Sequence, residues 1–156
     1  MVREGKWDGL QFVAKKDCCI FGLCMPEQKG KKKYSVTLVF KYFIRNAKDE
    51  VIFKSEEITE ADIQQPQGDL MRNQMYHHKF RGDLANGIAL KAGQSLDIAC
   101  SLRFSGGLNM IHRGVDHFVR EPLPADDFSI KKSMQDNNNT GLTGGALPGI
   151  LYKLGA

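Results

Sequence analysis

Apolar and polar residues alternate with a period of two along much of the first 120 positions, the spacing of strands rather than helices. The clearest run covers residues 34 to 45. Tyr34, Val36, Leu38, Phe40, Tyr42 and Ile44 fall on one face, and Ser35, Thr37, Val39, Lys41, Phe43 and Arg45 on the other. This predicts a long, half-buried strand. A second clean run sets Leu96, Ile98, Cys100, Leu102 and Phe104 against Asp97, Ala99, Ser101 and Arg103. Residues 18 to 25 are apolar on both alternating faces, which predicts a strand buried on two sides. A short extended run precedes them, separated by Lys15-Lys16-Asp17. Turn residues at 46 to 50 followed by Val51-Ile52-Phe53-Lys54 predict a hairpin with the long strand.

Two stretches break the alternation. Thr59 with Asp62 three residues later approximates a helix start, and Pro66 and Gly68 limit that helix to about two turns. Residues 70 to 79 lack Gly and Pro and carry Leu70, Met71, Gln74, Met75 and His78 at helical spacing, which predicts a second helical piece. Residues 108 to 112 and 115 to 119 predict one strand interrupted at Gly114, or two short ones. Beyond residue 120 come Pro122, Pro124, Asn137-Asn138-Asn139 and a glycine-rich end, so the expected division is a β domain over 1–120 and a C-terminal tail or arm over 121–156. That arm holds Leu142, Leu147, Ile150, Leu151, Tyr152 and Leu154 among its glycines, too apolar for a free tail, and is expected to dock on its own domain or on a neighbouring subunit.

The expected fold is mostly β, a small barrel or β-sandwich with one short helical segment between strands and an extended C-terminal tail. The order of elements resembles that of the five-stranded oligonucleotide-binding barrel (the OB-fold), whose helix lies between its third and fourth strands. The resemblance is one of architecture over residues 10 to 120 and carries no diagnostic motif.

Composition adds little to this and charge adds more. The chain of 156 residues is 42% hydrophobic and 26% charged, ordinary for one globular domain. The first eight residues lack the apolar stretch of a secretory signal, and no run approaches a membrane span, so a cytoplasmic protein without membrane partners is expected. Net charge is only +4, but its distribution is uneven. Residues 28 to 48 hold Lys29, Lys31, Lys32, Lys33, Lys41, Arg45 and Lys48 with no acid, and residues 49 to 69 hold seven acids against Lys54 alone. In a barrel of the oligonucleotide-binding kind, Lys29, Lys31, Lys32, Lys33, Lys41 and Arg45 would neutralise phosphates, and Phe43, outward between Lys41 and Arg45, would stack a base.

Other candidate chemistry is weaker. Cys19 and Cys24 are spaced like zinc ligands, as are His112 and His117, but nearly ninety residues separate the pairs and Cys19 and Cys24 are expected on opposite strand faces, so no metal is expected. Cys18, Cys19, Cys24 and Cys100 read as core thiols. Tyr76-His77-His78-Lys79 beside Arg81 reads as a solvated helix face, with no nucleophile motif to make it an acid–base pair. Arg81-Gly82-Asp83 spells an adhesion tripeptide, but the expected location makes coincidence the better account. The sequence thus points to a non-enzymatic, cofactor-free protein binding single-stranded nucleic acid, of a phage, plasmid or viral replication type, and forming a homo-oligomer. The alternative is a self-assembling structural subunit, for example of a virion, in which the positive block of one copy meets the negative block of the next and the arm docks on a neighbour.

Overall fold

A computed structural model of the chain describes residues 7 to 26, 36 to 63, 75 to 104, 124 to 133, 135 and 149 to 155. Among these, the strands in chain order are β1 (Asp8–Ala14), β2 (Cys18–Pro26), β3 (Val36–Arg45), β4 (Val51–Lys54), β5 (Ile58–Ile63), β6 (Met75–Lys79), β7 (Ile88–Leu90), β8 (Ser95–Phe104), β9 (Phe128–Lys132) and β10 (Gly149–Leu154). They make two antiparallel sheets. The first runs β4-β3-β8-β1-β9, with β5 continuing the β4 edge along the other half of β3. The second runs β10-β2-β6, with β7 beside the start of β2. The two sheets do not close into a barrel.

The two strands with the cleanest alternation lie side by side, β3 pairing with β8 along its whole length from Val36↔Phe104 to Arg45↔Ser95. Their apolar faces meet the second sheet in one core. Phe12, Leu38, Phe40, Leu96 and Ile98 from the first sheet join Ile20, Leu23, Ile88 and Ile150 from the second, with Phe80 stacked on Phe40 at 5.1 Å between centroids.

Strand β2 keeps its core face only by changing phase. Leu151 pairs with Gly22 and Tyr152 with Ile20, so Phe21 is an extra residue with no partner in this ladder. A bulge of this kind shifts every later side chain to the opposite face. Cys18 and Ile20 point into the core before it, and Leu23 after it. Cys24 is therefore on the face of Cys19, against the expectation that the two lie on opposite faces. Gly22 is needed at the bulge, because a Cβ there would lie 2.3 Å from the His78 carbonyl oxygen. Gly87 has φ of +88°, and a Cβ would lie 2.3 Å from Cys19 Sγ. Next to it, the Cys19 thiol donates to the Asn86 carbonyl oxygen at 3.1 Å.

Both helical expectations give way to strands over the described residues, and residues 64 to 74 lie outside them. Residues 58 to 63 pair with β3, Phe40 facing Ile58 and Val39 facing Thr59, and Met75–Lys79 pairs with β2. A short 3-10 turn at Gly82–Leu84, inside the Arg81-Gly82-Asp83 sequence, is the only helical element among the described residues. Residues 108 to 119, expected as strands, lie outside the described residues. The segment expected as a tail outside the core supplies two strands: β9 pairs with β1 and β10 with β2, and Phe128 and Ile150 are buried. Composition misled there because strands of five and six residues stand out little in a segment rich in Pro, Asn and Gly.

The β2–β10 end is held by polar contacts. Tyr152 packs edge-on against Phe128 and donates its hydroxyl to Asp127 Oδ2 at 2.7 Å, and Lys16 Nζ lies 3.0 Å from Asp127 Oδ1. Tyr152 and then Lys16 hold the Asp127 carboxyl below its ordinary range. Desolvation, followed by the bond to Asp127, pushes the Tyr152 phenol up to about 12.

Candidate nucleic-acid interface

The outward face of β3 carries Lys41, Phe43 and Arg45 in a row, as the alternation predicts. Lys29, Lys31, Lys32 and Lys33 lie outside the described residues. Trp7, just before β1, extends the row, with Lys41 Nζ 4.2 Å above its ring centroid. Across the β3–β4 hairpin Lys54 faces Phe43, and its Nζ lies 5.8 Å from the phenyl centroid, with Arg45 Cζ at 5.5 Å. Cations and rings therefore alternate as Trp7, Lys41, Phe43, then Arg45 and Lys54. Each such contact contributes about 0.5–1 kcal/mol at an exposed site. Phe43 and Lys41 are half-buried and Lys54 is exposed.

Arg45 has a different place in this row. Its Nε and Nη2 donate to Asp97 Oδ2 at 3.2 and 3.0 Å, and its Nη1 donates to the Asp49 carbonyl oxygen. Asp97 is fully buried although its side chain leaves β8 on the outward face, directly opposite Phe43. Its other oxygen accepts from Ser133 Oγ and Gln135 Nε2. Gln11 on β1 ties the neighbouring positions together, donating to Ser95 Oγ and Asp49 Oδ1. Val39, Ala99 and Ser101 on this face are also buried. The outward face is thus a covered polar and small-residue layer in the middle, with the aromatic and basic row along β3.

Of the residues singled out in the sequence, Lys41 and Phe43 stand together with exposed Lys54, while the charge of Arg45 is matched by Asp97. Trp7, Lys54 and Asp97 were not selected. Lys54 comes opposite Phe43 only because an extra residue in β4, Ile52, shifts the register by one, so its position could not be read from the turn alone. Asp97 becomes visible only once β8 is placed beside β3. The two charge blocks also meet within one chain, because β3 ends the positive block and β4 and β5 lie in the negative one.

The histidine segment is rearranged. His77 is exposed and His78 is buried, against the expected solvated helix face, because consecutive residues of a strand face opposite ways. His78 Nε2 hydrogen-bonds Glu60 Oε2, and Glu60 Oε1 accepts the Arg81 backbone N–H at 2.6 Å. Glu60 pairs opposite Leu38 on the first sheet and His78 opposite Leu23 on the second, so this pair pins the sheets together inside the core. Among the described residues no three His, Cys, Asp or Glu side chains cluster to hold a metal ion. His112 and His117 lie outside them. All four cysteines are buried free thiols, and burial, with Cys19 and Asp17 nearby, pushes Cys18 up to about 11, where it stays a neutral thiol at physiological pH. No helix among the described residues is long and apolar enough to cross a membrane.

No family model matches the chain, and a search of the curated proteins finds no match.

Proposed function

We propose that the protein binds single-stranded nucleic acid without catalysing a reaction, using the outward row along β3. The observation that carries this reading is the alternation of Trp7, Lys41, Phe43 and Lys54 on one surface. A strand of nucleic acid presents phosphates and unstacked bases in alternation, and binding grooves for it combine cations with aromatic platforms. Lys29, Lys31, Lys32 and Lys33 precede β3 in the chain and would add further phosphate contacts. Arg45 acts here as the support that holds Phe43 and β3 in place rather than as a phosphate contact. The reading does not need the closed oligonucleotide-binding barrel suggested by the order of elements, because the row is built on β3 and its neighbours.

Titration of a fluorescent single-stranded oligonucleotide at several salt concentrations tests it. The logarithm of affinity should fall with the logarithm of salt at about −0.7 per phosphate neutralised, and Lys41→Ala and Lys54→Ala should make that slope shallower. Phe43→Ala should weaken binding by about 1–3 kcal/mol and leave the slope unchanged, because stacking releases no counterions. Trp7 is the chain's one tryptophan, so its emission should change on binding. No binding at low salt, or binding to heparin as tight as to the oligonucleotide, would refute the proposal.

A second reading, a self-assembling structural subunit, is favoured by one observation: Val51, Ile52 and Phe53 are 47%, 53% and 48% exposed on the sheet edge formed by β4.

A further inference from the structure

We infer that Asn86 is a latent deamidation site, locked in the folded protein by a turn that holds its peptide bond to Gly87 from both sides. This inference stands apart from the nucleic-acid reading. Asn86-Gly87 is the chain's one Asn-Gly pair, and it lies between the 3-10 turn at Gly82–Leu84 and β7. Asn86 is exposed. Glycine at 87 is imposed by the fold, because its φ is +88° and a Cβ there would lie 2.3 Å from Cys19 Sγ and 2.9 Å from the Ile20 carbonyl oxygen. The residue after Asn86 therefore has no side chain to crowd its backbone nitrogen, which is the atom that attacks in deamidation.

In that reaction the Gly87 nitrogen bonds to Asn86 Cγ and gives up its proton, which leaves with the side-chain amide as ammonia. Water then opens the five-membered imide at either carbonyl, and aspartate or isoaspartate remains at 86. The nitrogen reaches Cγ only if the Asn86–Gly87 peptide plane turns and its N–H is released. The structure ties that plane at both ends. The Gly87 N–H donates to the Leu84 carbonyl oxygen at 2.8 Å, closing a turn in which Ala85 has φ of −59° and ψ of −28°, the conformation of the first central position of a type I turn. The Asn86 carbonyl oxygen accepts from the Cys19 thiol at 3.1 Å. Beyond the turn, Ile88, Ala89 and Leu90 pair with Ile20, Cys19 and Cys18 on β2, and Ile88 and Leu90 are buried in the core, so the chain leaving Gly87 is anchored as well. Deamidation of the folded protein therefore proceeds through local opening of this turn, at the rate of the unfolded chain multiplied by the open fraction.

Hydrogen exchange measures the open fraction independently, because exchange of the Gly87 amide needs the same N–H released from Leu84. The full chain is held at mildly alkaline pH, folded and in concentrated urea, and conversion of Asn86 is followed by peptide mapping with mass spectrometry. Exchange at Gly87 is read by NMR on the folded protein. The factor by which folding slows deamidation should match the protection factor of the Gly87 amide to within about threefold. Cys19→Ala removes the bond to the Asn86 carbonyl and the sulfur packed on Gly87, and should speed both processes in step by about threefold or more. If that variant does not fold, urea below the unfolding transition of the wild type opens the turn instead, and should raise both rates by the same factor. Folded protein that deamidates as fast as the unfolded chain would overturn the inference. So would a slowdown that departs from the protection factor, or a folded Cys19→Ala protein with both rates unchanged.

Discussion

Replacing Arg45 with Ala separates a structural role for this residue from a binding one. The Arg45 side chain is 13% exposed and that of Asp97 is not exposed at all. Truncation removes both hydrogen bonds to Asp97 Oδ2, at 3.2 and 3.0 Å, and leaves a carboxylate in the middle of a sheet with Ser133 and Gln135 only on its other oxygen. Removing one partner of a buried pair costs about 3–5 kcal/mol, because the remaining charge keeps its desolvation penalty. The slight exposure of Arg45 puts the expected loss near the low end, about 3 kcal/mol. At this chain length each kcal/mol lowers Tm by about 2–4 °C, so Arg45→Ala should melt about 6–12 °C below wild type. Arg45→Lys keeps the charge without the fork that spans Nε and Nη2, and should fall between the two. Adding Asp97→Asn to Arg45→Ala removes the stranded charge, so the double variant should be more stable than the sum of the two single losses by about 1 kcal/mol or more. Urea melts followed by circular dichroism measure all of these proteins. An Arg45→Ala protein with a wild-type melt that binds oligonucleotide more weakly would refute the argument and return Arg45 to the phosphate contacts.

Two further outcomes follow from buried or paired groups. His78→Leu leaves the Glu60 carboxyl in the core with only the Arg81 N–H, and should destabilise by about 2–4 kcal/mol, while Glu60→Leu with His78→Leu should cost less than either change alone. A double variant whose denaturation midpoint falls by the sum of the single shifts would contradict this. Asp127 is held low by Tyr152 and Lys16. A carboxyl with a depressed folded pKa stabilises the protein above its ordinary value of about 3.9, and that stabilisation is lost as pH falls through the lowered value. Thermal melts below about pH 4 should therefore show a steeper loss in wild type than in Tyr152→Phe, and parallel acid limbs would contradict the assignment.

What the sequence made legible was local and periodic. The faces of β3 and β8, the β3–β4 hairpin and the core thiols follow from alternation and turn residues, which need no knowledge of the rest of the chain. What it hid was set by distant partners. Thr59 and Asp62 carry a helix-start signal that loses to the ladder with Val39 and Phe40, where Glu60 gains His78 and the Arg81 N–H. The phase change at Phe21 has no mark in composition, since apolar residues lie on both sides of it; only Gly22, where a backbone comes close, hints at it. The glycines and asparagines after residue 120 suggested an arm, because strands as short as β9 and β10 carry too few alternations to show against that composition.

The same limit applies to the positive block read along the chain. Counting charge along the chain treats every cation between residues 28 and 48 as available to a ligand, and counts acids only when they are near in sequence. Arg45 is answered by Asp97, fifty-two positions away, and the hairpin brings Asp49 to 3.9 Å from the same guanidinium. Lys41 has its ammonium on the Trp7 ring, where the positive charge is held by a π face and still attracts an anion. Lys54, which the sequence assigned to the negative block, joins the positive row because β4 turns back beside β3. A ligand would therefore meet cations chosen by sheet register rather than by their order in the chain. On the proposed function, their arrangement beside Trp7 and Phe43, more than the net charge of +4, is what would suit the surface to a polyanion that carries bases.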